Sequence, residues 1–431
     1  MQTEIILSKE QEEAVELCAD TSIRIACVTG QAGTGKTTIL KKSHEKLTEE
    51  LEITKGYSPA GDPQFSIALA APTGRAAKRI QEATGLRAST AHRMLRFTVP
   101  KDDDDFGLPA YSKMNPMPFD AILIDEASMI AEDLRRALID AMKRGSIIRF
   151  FGDINQLPPI GTYDSSGRKN PNFSPFAKDL KTFPSVTLTK NFRSTDGIIE
   201  LADRVIRNKM PMANDQVSIL RIGNVDTQNR VLTIAQDIDF TTDKAQIICP
   251  TNKTVHGTEN LNKAIQQRFN PERAKITIFK KEKDGSMTVR SFKKNDKVIW
   301  TQNDYNLNLM NGSIGRVLDF DPEKGTMWLH MDDRDIEISA QMEAFNPTTG
   351  EKYVYDPRHY LNLGYAISTH KSQGSQFDVV LFVCSRTRAA NRQNVYTAVT
   401  RAKEKLIILN VAGSLTYALD TLVDIERETY S

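Results

Sequence analysis

Apolar residues gather along this chain in short runs, each closed by a polar turn containing Gly or Asp. Residues 23–28, 65–71, 121–124 and 147–151 are runs of this kind. They are too short for helices and mostly apolar, the pattern of strands buried on both faces. The stretches between them, "ILKKSHEKLTEEL" and "AAKRIQEATG" among others, have helix-forming composition. Strands alternating with helices predict an α/β protein with a parallel sheet covered on both sides, its functional loops at the C-terminal strand ends. A second series at 186–188, 246–249, 379–383 and 406–409 predicts a second α/β sheet.

Between residues 275 and 360 the texture changes. "KITIFKK", "SMTVRSF", "DKVIWTQ", "SIGRVLDF" and "TMWLHMD" are short β-rich pieces parted by Asp-Gly, Asn-Gly and Lys-Gly turns, which predicts a small β-barrel-like insertion. A further insertion at 97–119, with "KDDDD" and several prolines, interrupts the first sheet. The pattern thus divides the chain into 1–96 with 120–187, the insertion 97–119, 188–274 with 361–431, and the β-rich piece 275–360. No internal repeat is evident.

Length agrees with this division, since 431 residues exceed one ordinary core. Lys plus Arg number 57 against 55 Asp plus Glu, so any nucleic-acid binding must come from a local groove rather than a whole-molecule field. The four cysteines form no C-x-x-C pair, and Cys27, Cys249 and Cys384 sit in apolar runs as reduced thiols would. The N-terminus does not read as a signal peptide, and no apolar run approaches the roughly 20 residues of a membrane span. The expectation is a soluble, cytoplasmic protein without a membrane partner.

The first run leads into "VTGQAGTGKTT", in which Gly30–Thr37 fits G-x-x-x-x-G-K-[ST] between a strand and a helix. Glycines let backbone N–H groups converge on phosphate oxygens, and a helix N-terminus adds a favourable field. Lys36 supplies charge to the β- and γ-phosphates and Thr37 a hydroxyl for Mg²⁺, with Gly30, Gly33, Thr34, Gly35 and Thr38 completing the cradle. "AILIDEAS" sets Asp125 and Glu126 at a strand end, where one carboxylate holds Mg²⁺ and its neighbour polarises an attacking water. Such a pair alone also caps helices; beside a phosphate turn it points to nucleoside triphosphate hydrolysis. Gln156 suits a γ-phosphate sensor or a loop-ordering amide. Thr73 with Gly74, and Thr90 with His92, follow strand ends where a hydroxyl and open backbone can hold a nucleic-acid phosphate. His92 and His370 taken singly also read as packed core residues, and Arg193 and Arg401 as surface arginines.

Six further stretches come in order: "APTGRAAKRI", "STAHRML", "GDINQLPPI", "LTKNFRS", "AISTHKSQGSQF" and "VYTAVTRAK". With the phosphate turn and "DEAS" they resemble the motif series of superfamily 1 helicases. "APTGRAA", "GDINQLPPI" and "HKSQGS" resemble its RecD-like branch, superfamily 1B. "FKKNDKVIWTQNDYNLNLMNGSIGRV" resembles that branch's SH3-like subdomain. The resemblance implies two tandem RecA-like parallel-sheet domains, a pin inserted at 97–119 and an SH3-like β-barrel inserted at 275–360. It implies that Arg193 and Arg401 meet the γ-phosphate of ATP, with Mg²⁺ as cofactor. It implies that Thr73, Gly74, Thr90, His92, Ser368, Thr369 and His370 line a single-strand track. "LSKEQEEA" resembles the family's Q-motif, with Gln11 reading adenine through its amide. Gln376 stands where the family commonly has Glu near the nucleotide, and Phe106 is the candidate wedge aromatic of the pin.

The activity so implied is ATP-driven movement 5′ to 3′ on single-stranded DNA and strand separation at forked duplex. The setting would be the cytoplasm of a bacterial or phage-infected cell, with the protein a monomer and with replication or recombination proteins as partners. A superfamily 1 RNA helicase and a non-unwinding nucleotide-dependent switch or loader are the alternatives. A nuclease is disfavoured, because no second carboxylate cluster with metal-site spacing remains.

Overall fold

The computed structural model describes residues 6–58, 60–97, 108–159, 174–192, 197–242, 244–281, 285–304, 306–345 and 352–421. It divides at residues 195/196 into two compact units.

The first unit runs α1 (Lys9–Ala19), β1 (Ile25–Gly30), α2 (Lys36–Lys55), β2 (Ile67–Ala71), α3 (Gly74–Thr84), β3 (Ala88–Thr90) and α4 (Ala91–Met94). It continues through β4 (Ala121–Ile124), α5 (Glu132–Asp140), β5 (Ile147–Gly152), α6 (Pro175–Thr182) and β6 (Ser185–Leu188). The strands form one parallel sheet in the order β3-β2-β4-β5-β1-β6. Every residue of β1, β4 and β5 is buried, as their apolar runs predict. Helices α1 to α3 cover one face through Ala14, Ile39, Leu47 and Ile80, and α4 to α6 the other through Ala91, Leu138 and Phe176. A buried cation sits inside this apolar frame. The Arg149 guanidinium on β5 donates to the carbonyls of Cys18 at 2.8 Å, Asp20 at 2.6 Å and Ile23 at 2.9 Å. These carbonyls lie at and just beyond the C-terminal end of α1, where a cation is favoured.

One strand differs from the sequence expectation. The run at 186–188 was grouped with the second sheet, yet the structure pairs β6 with β1 of the first, Cys27 opposite Ser185 through Gly30 opposite Leu188. Only Leu188 of β6 is buried, so its composition carries no signal of which sheet it joins. The boundary therefore moves from 187/188 to 195/196.

The second unit holds α7 (Gly197–Ile206), β7 (Val217–Ile222), α8 (Thr227–Asp237), β8 (Ala245–Cys249) and α9 (Thr258–Phe269) before the β-rich insertion. That insertion contains β9 (Ile276–Lys281), β10 (Met287–Phe292), β11 (Lys297–Trp300), β12 (Ile314–Asp321), β13 (Thr326–Met331), β14 (Arg334–Ile338), β15 (Met342–Phe345) and β16 (Lys352–Tyr355). The chain then returns through β17 (Leu361–Leu363), β18 (Ala366–Ser368), α10 (Thr369–Ser372), β19 (Phe377–Cys384), α11 (Arg392–Val399), β20 (Ala402–Val411) and α12 (Ser414–Asp420). Its parallel sheet has the order β18-β8-β19-β20-β7. The insertion builds an antiparallel sheet β14-β13-β12-β11-β17 with two separate hairpins, β9–β10 and β15–β16. β17 lies past the expected limit at 360 and pairs with β11. Asp296, fully buried, ties the insertion to its parent sheet: its carboxylate accepts from Asn270 at 2.7 Å, from Tyr365 at 3.0 Å and from Gln266. Burial pushes its carboxyl above the ordinary range.

Residues 98–107 of the expected pin, Phe106 included, lie outside the described residues. Phe97, Tyr111 and Phe119 beside them pack on the first unit's core. No helix among the described residues is long and apolar enough to cross a membrane. All four cysteines are buried and reduced, and burial pushes the Cys18 thiol up to about 11.

Candidate functional site

The phosphate turn leaves β1 and enters α2, whose N-cap Gly35 is left-handed at φ 84°, as is Gly33 at 88°. A Cβ on Gly33 would lie 2.7 Å from Asn191 Oδ1, and one on Gly35 2.6 Å from Gln11 Nε2. Both conformation and space therefore demand glycine here. The Lys36 ammonium folds over the turn and donates to the carbonyls of Gly30 at 2.6 Å and Gln31 at 2.9 Å. Thr34 is buried, while Thr37 and Thr38 stand half-buried on the first turn of α2. Gln11, 4% exposed, donates to the Thr34 carbonyl at 3.2 Å and accepts from Ser8 N–H at 3.0 Å. Its helix thus docks directly on the turn.

At the C-terminal end of β4, Asp125 Oδ1 accepts the Glu126 N–H at 2.8 Å. Burial, then the charge of Glu126, pushes the Asp125 carboxyl up to about 6, and the cations Lys36 and Arg79 pull the other way. Glu126 has a left-handed backbone, φ 51°, uncommon for a residue with a Cβ. Gln156, just beyond β5, approaches it with Nε2 3.5 Å from Glu126 Oε2. Gln156 Oε1 is buried without a partner. A buried carboxylate under Lys36's field and an orphaned amide oxygen fit a hydrated Mg²⁺ and a water. Thr37 and Asp125 are the residues that would hold the ion.

Three of the expected strand-contact residues, Thr73, Thr90 and Ser368, cap helices. Thr73 Oγ1 accepts Ala76 N–H at 3.3 Å at the start of α3, directly before Gly74; Thr90 Oγ1 accepts Arg93 N–H at 3.1 Å; Ser368 Oγ accepts Lys371 N–H at 3.3 Å. Thr90 and Thr369 are the two buried threonines of this set. Thr90 is 2% exposed, and the Thr369 hydroxyl lies fully buried, 2.9 Å from Asn394 Oδ1 and 3.2 Å from the Cys249 carbonyl. Both shape their loops from within. His92, edge-on to Phe97 at 5.0 Å, and His370 are half-buried; burial holds both imidazoles below their ordinary range, hence neutral at pH 7. Lys371 lies near Arg290 of β10, and burial and that guanidinium hold its ammonium below the usual range.

Arg401 is not a surface arginine. It is 3% exposed, donating to Thr397 O at 3.0 Å, Ser375 O at 3.2 Å and Thr400 Oγ1 at 3.0 Å, while its own carbonyl accepts Phe377 N–H at 2.9 Å. These bonds bracket half-buried Gln376. Arg193 lies outside the described residues.

Three family models match the chain: an AAA domain over 11–162, an ATP-dependent RecD-like DNA helicase SH3 domain over 261–331, and a UvrD-like helicase C-terminal domain over 363–409. The ATP-dependent RecD2 DNA helicase of Deinococcus radiodurans is 29% identical over 413 residues, 95% of this chain and 50% of its own length. The matched models and relatives are those of RecD-like helicases, which this chain resembles along most of its length. The RecBCD enzyme subunit RecD of Mycobacterium tuberculosis is 27% identical over 95% of this chain and 70% of its own. Among solved structures, Bacteroides Pif1 helicase in complex with ADP-AlF3 and single-stranded DNA aligns with TM-score 0.57 and 21% identity, covering 99% of this chain and 98% of that one. Candida albicans Pif1 aligns at 0.56 and 18%, covering 99% and 100%. At these identities the likeness is one of fold: two parallel-sheet α/β domains and an SH3-like insertion. The chain spans half the length of this Deinococcus relative.

Within the first unit Gln11 is bonded to the phosphate turn, Asp125 lies in the field of Lys36 and Gln156 stands beside Glu126, and within the second Arg401 bonds to the residues on either side of Gln376. Sequence reasoning missed Glu10, Arg79, Asn191 and Phe192. Asn191 Nδ2 donates to Ala32 O at 3.0 Å and Phe192 N–H to Gly33 O at 3.1 Å, leaving the Phe192 ring 47% exposed beside the turn. Their place in "LTKNFRS", next to Arg193, was the signal available.

Proposed function

We propose that this chain hydrolyses ATP and uses the cycle to move along single-stranded DNA, 5′ to 3′, separating the strands of forked duplex. The observation that supports the reading is the Asp125 carboxyl in the field of Lys36, with Gln156 beside its neighbour Glu126 and the Gln11 amide bonded to the phosphate turn. Lys36 exchanges its two carbonyl partners for phosphate oxygens, and Gln11 presents its amide to adenine. Glu126 takes the proton of the attacking water, and Gln156 orients it. Bound Mg²⁺ would neutralise charge on the β- and γ-phosphates. Arg193 and Arg401 are the proposed readers of the γ-phosphate, whose loss on hydrolysis changes what they hold.

Support for a nucleic-acid strand comes from the capped loops at Thr73, Thr90 and Ser368 and from the Lys371–Arg290 cation pair, which suits a phosphate. Neutral His92 and His370 then contribute hydrogen bonds rather than charge. The names of the Deinococcus and Bacteroides relatives point the same way for DNA. The test is ATP turnover with no nucleic acid, with single-stranded DNA and with RNA of the same sequence. Stimulation of at least about tenfold by DNA is expected. Preference for RNA would favour the RNA-helicase reading, and slow turnover indifferent to both would favour a switch or loader.

A further inference from the structure

The carbonyls of Ala32, Gly33 and Thr34, three in a row, are each taken by a donor from outside the phosphate turn. Asn191 Nδ2 holds the first at 3.0 Å, Phe192 N–H the second at 3.1 Å and Gln11 Nε2 the third at 3.2 Å. In a trans peptide the carbonyl and the following N–H point in opposite directions. Pinning the Ala32 and Thr34 carbonyls outward therefore aims the N–H groups of Gly33 and Gly35 to the other side, where a phosphate cradle needs them. The same contacts explain why those positions are glycine, since Asn191 and Gln11 press on the space a Cβ would fill.

What holds Asn191 and Phe192 in place is the residue beside Gln11. Glu10 Oε2 accepts the N–H of Thr189 at 2.7 Å and of Lys190 at 3.2 Å, and Oε1 accepts the Thr189 hydroxyl. A closed ring results: α1 grips the turn through Gln11, and through Glu10 it grips the segment that grips the turn. We infer that Glu10 is a positioning residue for the triphosphate, bracing Thr189–Phe192 so that the backbone of the phosphate turn is set before nucleotide arrives. The inference rests on the proposed ATP reading and deepens it, and it binds α1 to the phosphates as well as to the base. The donors from Thr189 also hold the Glu10 carboxyl below the usual range, so it stays ionised at neutral pH.

The experiment compares full-length wild type, Glu10→Ala and Glu10→Gln, reading KM and kcat for ATP, the inhibition constant of tripolyphosphate, and Tm. Losing a charge-assisted hydrogen bond should raise KM for ATP and the tripolyphosphate constant about tenfold each in Glu10→Ala. With kcat and Tm little changed, Glu10→Gln, which keeps one acceptor oxygen, should lie closer to wild type. If Glu10→Ala does not fold, Asn191→Ala, which removes only the Ala32 donor, should move the same two constants. Unchanged constants overturn the inference, as does an effect on ATP without one on tripolyphosphate, or a loss that merely tracks Tm. A wild type without ATP turnover would instead sink the functional reading; an active wild type with an indifferent Glu10→Ala sinks the brace alone.

Discussion

Arg193→Ala is expected to lower ATP turnover about 10³–10⁵-fold, while ATP affinity stays within a few-fold of wild type. The reason is that a guanidinium at the γ-phosphate meets charge that develops mainly in the transition state, so its loss shows in kcat rather than in binding. The chain leading to it is fixed: Asn191 and Phe192 are bonded to the phosphate turn, and Thr189 and Lys190 to Glu10. Single-turnover hydrolysis beside an equilibrium nucleotide titration separates the two effects. A fall of less than tenfold, or one confined to affinity, would remove Arg193 from the γ-phosphate.

Glu126→Gln should lower turnover about 10²–10⁴-fold and leave nucleotide binding intact. The two side chains share a shape, and the amide cannot accept the water's proton. The backbone of Glu126 supports a special role, because a left-handed residue with a Cβ costs about 1–3 kcal/mol and is kept where a side chain must be aimed. Gln156, close to its carboxylate, would still have an acceptor in the variant. The protein should then accumulate in its ATP-bound state, seen as single-stranded DNA affinity that no longer relaxes with time after ATP is added. Turnover within threefold of wild type would show that another group takes the proton.

Much of this was legible in the sequence because the chemistry is local. A turn with fixed glycines and a lysine, or Asp-Glu closing an apolar strand, is set by neighbours in the chain, and β1, β4 and β5 declare themselves by continuous burial. What escaped depends on distant or ambiguous positions. β6 is mostly exposed and short, so nothing in its composition chose between two sheets. β7, with only Val217 buried, lacks the apolar continuity of a central strand. Glu10 and Thr189 meet across 179 positions, a pairing no local pattern encodes. Arg401 read alone as a surface residue because burying a guanidinium requires carbonyls that only the folded chain assembles. The threonines of "APTG" and "STAH" were placed at strand ends, and there their hydroxyls cap the helices that follow, a bond set by the folded backbone and not by composition.

Coupling of hydrolysis to directed movement is the claim on which the rest depends, and strand separation from tailed duplexes tests it most directly. With ATP and Mg²⁺, a duplex carrying a 5′ single-stranded tail should be unwound well before the same duplex with a 3′ tail. Equal failure on both substrates by a protein that still hydrolyses ATP, or a preference for the 3′ tail, would contradict the account.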